Sequence, residues 1–468
     1  VDTIERSIAG GRTVLGSTRA GVVLSAVLGV ALTVYTAMSL SGNASRPMTL
    51  LPIALLIGAT LLVVALNDLE TFVLAALAVR SSLDVFRGGS HLGDPSVVLG
   101  LLLLGFGALW LLNRRMKLGD AFPTSRLGLA FLVFTGVAML GILTSAKPGA
   151  SLVEWSRIAS IAVLFLCVEQ FVARGAGLGR FLVAIGMAVI VPTAVAACQL
   201  VTRQGLHTSG VFSRITGTFA HSNPLAYFAI FTWFLMLATY PVVRGTARRL
   251  VLIALVATTA LTFFSFTRSA WIVAAIGLLI LLLRRRSYTA VVAVCAVLLL
   301  GVVAPPIQSR FADLGSASQI TGKPANSMSW RFAYWHKSLE IAEPSPIAGV
   351  GLRAVSMTTT AAKQPHNDIV RAYVELGIPG LVSYLALLAL MIWSSFVAAL
   401  DAGRRRLGGI ERAVTEAALV TAIGIGLLSL VANLMSQVVV MAYAVTILAL
   451  SSGAYLRRRR IDAERAKA

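Results

Sequence analysis

"PHNDIVRAYVELGIPGLVSYLALLALMIWSSFVAAL", residues 365–400, joins a polar head to an apolar run from about residue 376 to 399. A run of that length lets a helix cross the hydrocarbon core of a bilayer with every backbone N–H and C=O satisfied inside the helix. The head carries His366, Asn367, Asp368, Arg371 and Glu375, and histidine is scarce, with five in 468 residues. The stretch therefore predicts a membrane helix and raises the question of what chemistry waits at its mouth.

The same apolar pattern recurs along the chain, near residues 21–41, 48–66, 69–80, 95–113, 127–145, 157–173, 180–200, 224–240, 249–265, 269–283, 287–304, 376–399, 413–432 and 436–456. The run at 69–80 is short, so the expectation is about 12–14 transmembrane helices. Nothing alternates with period two, which excludes a membrane β-barrel. With 57% hydrophobic and 13% charged residues, and a mean hydropathy of +0.85, the chain holds more apolar surface than one soluble core can hide. The predicted fold is all-α, a polytopic integral membrane protein with one large outer loop containing short amphipathic helices.

Forty Lys and Arg against nineteen Asp and Glu give a net charge of +21. In a soluble chain this would suggest nucleic acid. Here the basic clusters at 113–117, 174–180, 244–249, 284–286, 404–406 and 457–460 fall in alternate loops, as expected for a multi-pass protein whose basic side faces an anionic cytoplasmic leaflet. Membrane lipids are thus expected partners and nucleic acid is not. Threading fourteen spans puts both termini on the cytoplasmic side. The run that starts near Gly21 lacks a small-residue cleavage site and is read as a retained span. Cys167, Cys198 and Cys295 lie far apart in apolar runs, so neither a disulfide nor a metal site is expected.

The opposite, outer face receives residues 79–95, 145–155, 202–224, 265–269 and 305–366. The last is the only sizeable loop. Its stretch "SMSWRFAYWHKSLEIAEPSPIAGVG" (327–351) predicts an amphipathic helix lying on the bilayer surface, with Trp330, Phe332, Tyr334 and Trp335 towards lipid.

Arg80, Arg214 and Arg268 stand on this outer face, where arginine should be rare. Each is open to two readings. A guanidinium fork binds phosphate in a bidentate way, so a cluster of them suits a lipid-linked diphosphate, and Arg214 and Arg268 would then approach one another. Alternatively each snorkels or pairs with a carboxylate, as Arg80 can with Asp84. His366 is likewise either a general base, kept neutral by neighbouring arginines, or a helix-start residue wetted at the interface. On a continuous helix Val370, Tyr373 and Gly377 extend the His366 face, and the glycine admits a close neighbour. Asp368, Arg371 and Glu375 form a second stripe that can pair internally, with Asp368 the next candidate base.

Taken in order, "RITGTFAHSNPLA" (214–226), "TRSAW" (267–271), "WRFAYW" (330–335), "PIAGVG" (346–351) and the His366–Asn367 pair resemble the O-antigen ligase and polymerase superfamily of bacterial envelopes. The resemblance covers about residues 210–385. Ligases of this family carry a histidine, ten residues and a glycine, as His366 and Gly377 do. It implies that His366 activates the acceptor hydroxyl and that Arg214 and Arg268 bind an undecaprenyl diphosphate, with Arg331 and Arg80 as further candidates. Asn367, Asp368 and Gly377 would support the site, and His221 and Asn223 would shape their loop. The implied enzyme is a metal-independent glycosyltransferase without a cofactor, in the bacterial inner membrane. It moves a glycan from an undecaprenyl-diphosphate donor to a lipid-anchored or lipid-linked sugar acceptor, with inversion. A repeat-unit polymerase and a lipid or polysaccharide transporter are the alternatives. Three regions are expected: helices in 1–200, a catalytic region in 201–400 that includes the loop 305–366, and helices with a basic tail in 401–468.

Overall fold

The computed structural model describes residues 64, 67–84, 95–119, 124–209, 212–292, 295, 327–359 and 363–467. The expected spans at 21–41 and 48–66, most of that at 287–304, and the first part of the outer loop lie outside the described residues. In chain order the elements are α1 (Leu69–Leu83), α2 (Pro95–Leu118), α3 (Arg126–Leu140), α4 (Pro148–Ala173), α5 (Leu178–Ala188), α6 (Ile190–Thr202), a hairpin of β1 (His207–Ser209) and β2 (Phe212–Arg214), α7 (Ser222–Thr239), α8 (Gly245–Phe264), α9 (Arg268–Arg284), α10 (Ser327–Ala342), α11 (Ala354–Thr358), α12 (Asp368–Arg404), α13 (Gly409–Ser429) and α14 (Val438–Arg465).

Eight helical segments among the described residues are long and apolar enough to cross a membrane, so the chain is an all-α multi-pass membrane protein. The helices α1 and α3, at fifteen residues each, rise only about 22 Å, short of the roughly 30 Å hydrocarbon core. The single run expected at 180–200 bends between α5 and α6. Pro192 lacks an N–H, and the carbonyl of Ala188 that it would have served accepts Ser81 Oγ instead, at 2.6 Å.

Helices α4, α7, α13 and α14 form the centre, mostly buried along their lengths, while α2 and α8 are largely exposed and present their apolar sides outward. Gly453 of α14 lies against the Glu169 carbonyl and the Val172 side chain of α4, so a Cβ there would force the two central helices apart.

Helix directions collect the basic clusters at one end. Arg285 pairs with Glu416 at 3.1 Å, Arg405 with Asp401 and Asp462, and Arg458 with Glu411. His366 stands at the other end.

The helix α12 is broken where a continuous one was expected. Gly377 adopts φ +66° and ψ −159°, which ends the first segment after nine residues. The carbonyls freed by the break accept N–H groups from the "PIAGVG" turn, Val350 N to Val374 O at 3.0 Å and Gly351 N to Glu375 O at 2.9 Å, and Ile378 N donates to Pro346 O at 3.1 Å. The glycine is therefore required by its backbone angle and by the Ile347 carbonyl against it. It does not form a helix stripe with His366, which precedes the cap and lies outside the helix.

Candidate active site

Asn367 caps α12, its Oδ1 accepting the N–H groups of Ile369 at 2.9 Å and Val370 at 3.1 Å. The residue before it, His366, has φ +54°, a left-handed conformation that few side chains adopt without help. The help comes from α10. Trp335 Nε1 donates to the Pro365 carbonyl at 2.6 Å, and the Tyr334 hydroxyl donates to the Lys363 carbonyl. Trp330 stacks on Tyr334 at 4.8 Å, meets the His366 ring edge-on at 5.9 Å and lies under the Lys363 ammonium at 5.5 Å.

This corrects one expectation. Of the four aromatic residues, Phe332 is exposed, whereas Tyr334 is buried and Trp330 and Trp335 turn onto the 363–366 segment. Their hydrogen bonds and ring contacts have partners in that segment, which a lipid tail would not provide.

Burial first, then the charges of Arg331 and Lys363, push the His366 imidazole down to about 4. The direction matches the sequence expectation, although desolvation outweighs the arginine. The ring is neutral around pH 7 and free to accept a proton. Arg331 is itself pushed below the usual guanidinium range by burial, with Tyr227 of α7 facing it.

His221 stands just before α7, its Nδ1 accepting Asn223 N–H at 3.2 Å. Its ring lies 4.3 Å from that of His207, and burial, His207, Arg214 and His366 hold it down to about 4. Three of the five histidines therefore converge here.

Arg214 is buried, and its guanidinium donates to Ser265 O at 2.7 Å, Asn223 Oδ1 at 2.7 Å and Thr267 Oγ1 at 2.8 Å. These bonds latch β2 onto the α8–α9 turn and bring Arg214 to the residue preceding Arg268, which opens α9 half-buried. Asn223 thus shapes the loop by receiving Arg214. Arg80 is remote from this latch in sequence but reaches the same loop through its helix: Thr218 Oγ1 donates to Ser81 O at 2.6 Å, and Ala220 N–H donates to Asp84 Oδ2 at 3.4 Å.

Asp368 is fully buried. Its Oδ2 accepts the N–H groups of Leu434 at 2.8 Å and Met435 at 3.3 Å, so it staples α12 to the 434–436 turn and is closed off from any acceptor hydroxyl. The predicted stripe pairs as Arg371 Nε to Glu375 Oε2 at 2.9 Å. Sequence reasoning missed the third member, Glu154 of α4, whose Oε1 takes Arg371 at 2.8 Å across the bundle. It also missed Gln199 of α6, whose amide oxygen accepts the N–H groups of Thr216 and Gly217 at 3.0 and 2.9 Å. A polar side chain inside an apolar run was the available signal for Gln199; Glu154 stood in the outer segment 145–155, where a carboxylate is unremarkable.

The fold and this end of the bundle define a multi-pass helical membrane protein with a histidine held neutral among cations. Residues 253–385, from α8 into α12, match the family model described as O-antigen ligase, the family that the sequence motifs resemble. The match takes in Arg268, Arg331, Lys363, His366 and Gly377. No curated protein matches the chain.

Proposed function

We propose that this protein transfers a glycan from a polyprenyl diphosphate carrier to a sugar hydroxyl at the outer face of the bacterial inner membrane. One observation carries the reading: a half-buried His366, held at the mouth of α12 and against Trp330, whose imidazole is kept neutral by burial and by the charges of Arg331 and Lys363. The acceptor oxygen attacks the anomeric carbon, its proton passes to the free nitrogen of His366, and the bond to the diphosphate oxygen breaks. The diphosphate leaves with the charge it gains held by cations that are already in place. Arg331 and Lys363, whose charges act on His366, and Arg268, beside the turn that Arg214 latches, are the candidates. A single displacement inverts the anomeric centre.

The ligase and polymerase forms of this reaction differ in the acceptor alone. The match to a ligase family favours a lipid-anchored acceptor. A deletion strain decides: polymer retained on its carrier and missing from the lipid anchor supports the ligase, and single repeat units support the polymerase. Movement of labelled carrier lipid by the purified protein in liposomes, with no glycosidic bond formed, would overturn both.

A further inference from the structure

A small open cavity of about 50 Å³ lies beneath the loop from Phe219 to Pro224, with Arg80, Asp84, Ser156, Arg157, Ser160 and Ser436 on its polar side. It shares Arg80, Gly100, Ser160 and Val438 with a narrower trough walled by Leu77, Leu99, Leu103, Ile161, Leu164 and Ala442. A cationic head that runs into an apolar trough fits an anionic amphiphile. Arg157 has a second attachment. Its guanidinium donates to Glu154 Oε2 at 2.9 Å, and its side chain keeps about a quarter of its surface exposed while Glu154 is buried.

The other oxygen of Glu154 takes Arg371 at 2.8 Å. Arg371 N–H donates to the carbonyl of Asn367, the cap that follows His366, at 3.0 Å. Ser436 lines the cavity and also bonds to Arg371. Two short chains of contacts thus run from the cavity wall to the helix start that presents His366. A buried carboxylate shared by two guanidiniums responds when either is drawn away, because its remaining partner must carry more of the charge in a low-dielectric setting.

We propose that Arg157 is a positioning residue: a lipid phosphate bound beside Arg80 draws on Arg157, and Glu154 and Arg371 pass the change to the helix start behind His366. This rests on the proposed function and extends it: the donor's lipid phosphate contacts this cavity before its diphosphate reaches the cations beside His366. The test uses the full chain in nanodiscs with undecaprenyl diphosphate as probe, measuring probe binding, hydrogen exchange at the amides of 366–372, and kcat and KM for transfer.

In the parent, the probe should change exchange at 366–372. Arg157→Gln should lose that change and lower kcat about tenfold or more at saturating donor, and Arg157→Lys, which keeps the charge, should restore much of both. If Arg157→Gln raises KM alone, with parental kcat and parental exchange response, Arg157 only binds and the coupling is wrong. Parental probe binding by Arg80→Gln would instead overturn the reading beneath it. Should Arg157→Gln fail to fold, Glu154→Gln decides, since it is expected to bind probe without the exchange response, and a parental response there sinks the proposal.

Discussion

At the scale of single residues, His366 combines two unfavourable features, a left-handed backbone and a desolvated imidazole, at one position. A non-glycine residue in that region costs about 1–2 kcal/mol, so its persistence needs the surrounding bonds from Trp335 and Asn367. Asparagine tolerates the left-handed region and cannot serve as a base. His366→Asn should therefore leave thermal stability in detergent within about 1 kcal/mol of the parent and lower transfer by roughly 10²–10⁴-fold; parental turnover would make His366 structural. The pH profile carries the electrostatics. In the free protein the acid limb of kcat/KM should fall near pH 4, where His366 protonates. A bound diphosphate offsets the charges of Arg331 and Lys363 and favours the imidazolium, so the acid limb of kcat should lie at higher pH. Arg331→Gln removes one of the charges that hold the ring down and should move the kcat/KM limb upward. His366 and its neutrality were legible from sequence because a scarce titratable residue stood at the mouth of an apolar run. The role of Arg214 was not, since a buried guanidinium satisfied by Ser265, Asn223 and Thr267 has the same sequence signature as one offered to phosphate.

At the scale of elements, hydrophobic run length located the helices well, and what it missed were the places where polar backbone is redistributed. A glycine within a helical pattern reads as room for a neighbour; only the pairing of 374–378 with 346–351 shows that Gly377 is a break. Gly377→Ala meets both a left-handed φ and the Ile347 carbonyl, and should destabilise by more than about 2 kcal/mol, seen as a lowered melting temperature and loss of activity together. The amphipathic pattern of α10 was equally legible, but periodicity does not say whether an aromatic face meets lipid or protein. Trp335→Phe keeps an aromatic ring, though a smaller one, and removes the hydrogen bond to Pro365. It should cost about 1 kcal/mol and reduce kcat more than KM, because the bond holds the segment that presents His366. Equal kcat in that variant would mean that α10 is a cover and not a support.

At the scale of the whole molecule, two charge systems divide the bundle: exposed and half-exposed pairs at the basic end, and the closed group of Arg371, Glu154 and Glu375 near His366. The first was legible, because basic clusters in alternate loops follow from topology alone. The second was half legible. Helical spacing gave Arg371 with Glu375, whereas Glu154 lies 217 positions away and no local pattern connects them. The two systems should behave differently on mutation. Removing an exposed partner such as Asp462 changes little, because water replaces the bond. Removing Arg371 strands Glu375 and leaves Glu154 with Arg157 alone, so Arg371→Leu should destabilise by about 3–5 kcal/mol. Replacing Glu154, Arg371 and Glu375 together with leucine removes every fully buried charge of the group and deprives only the partly exposed Arg157 of its partner, so the triple variant should melt above the single one in detergent. It would still lose transfer if this group sets the helix start behind His366. A triple variant that melts below Arg371→Leu would show that the ion group holds the central helices together by itself, and that the position of His366 is incidental to it.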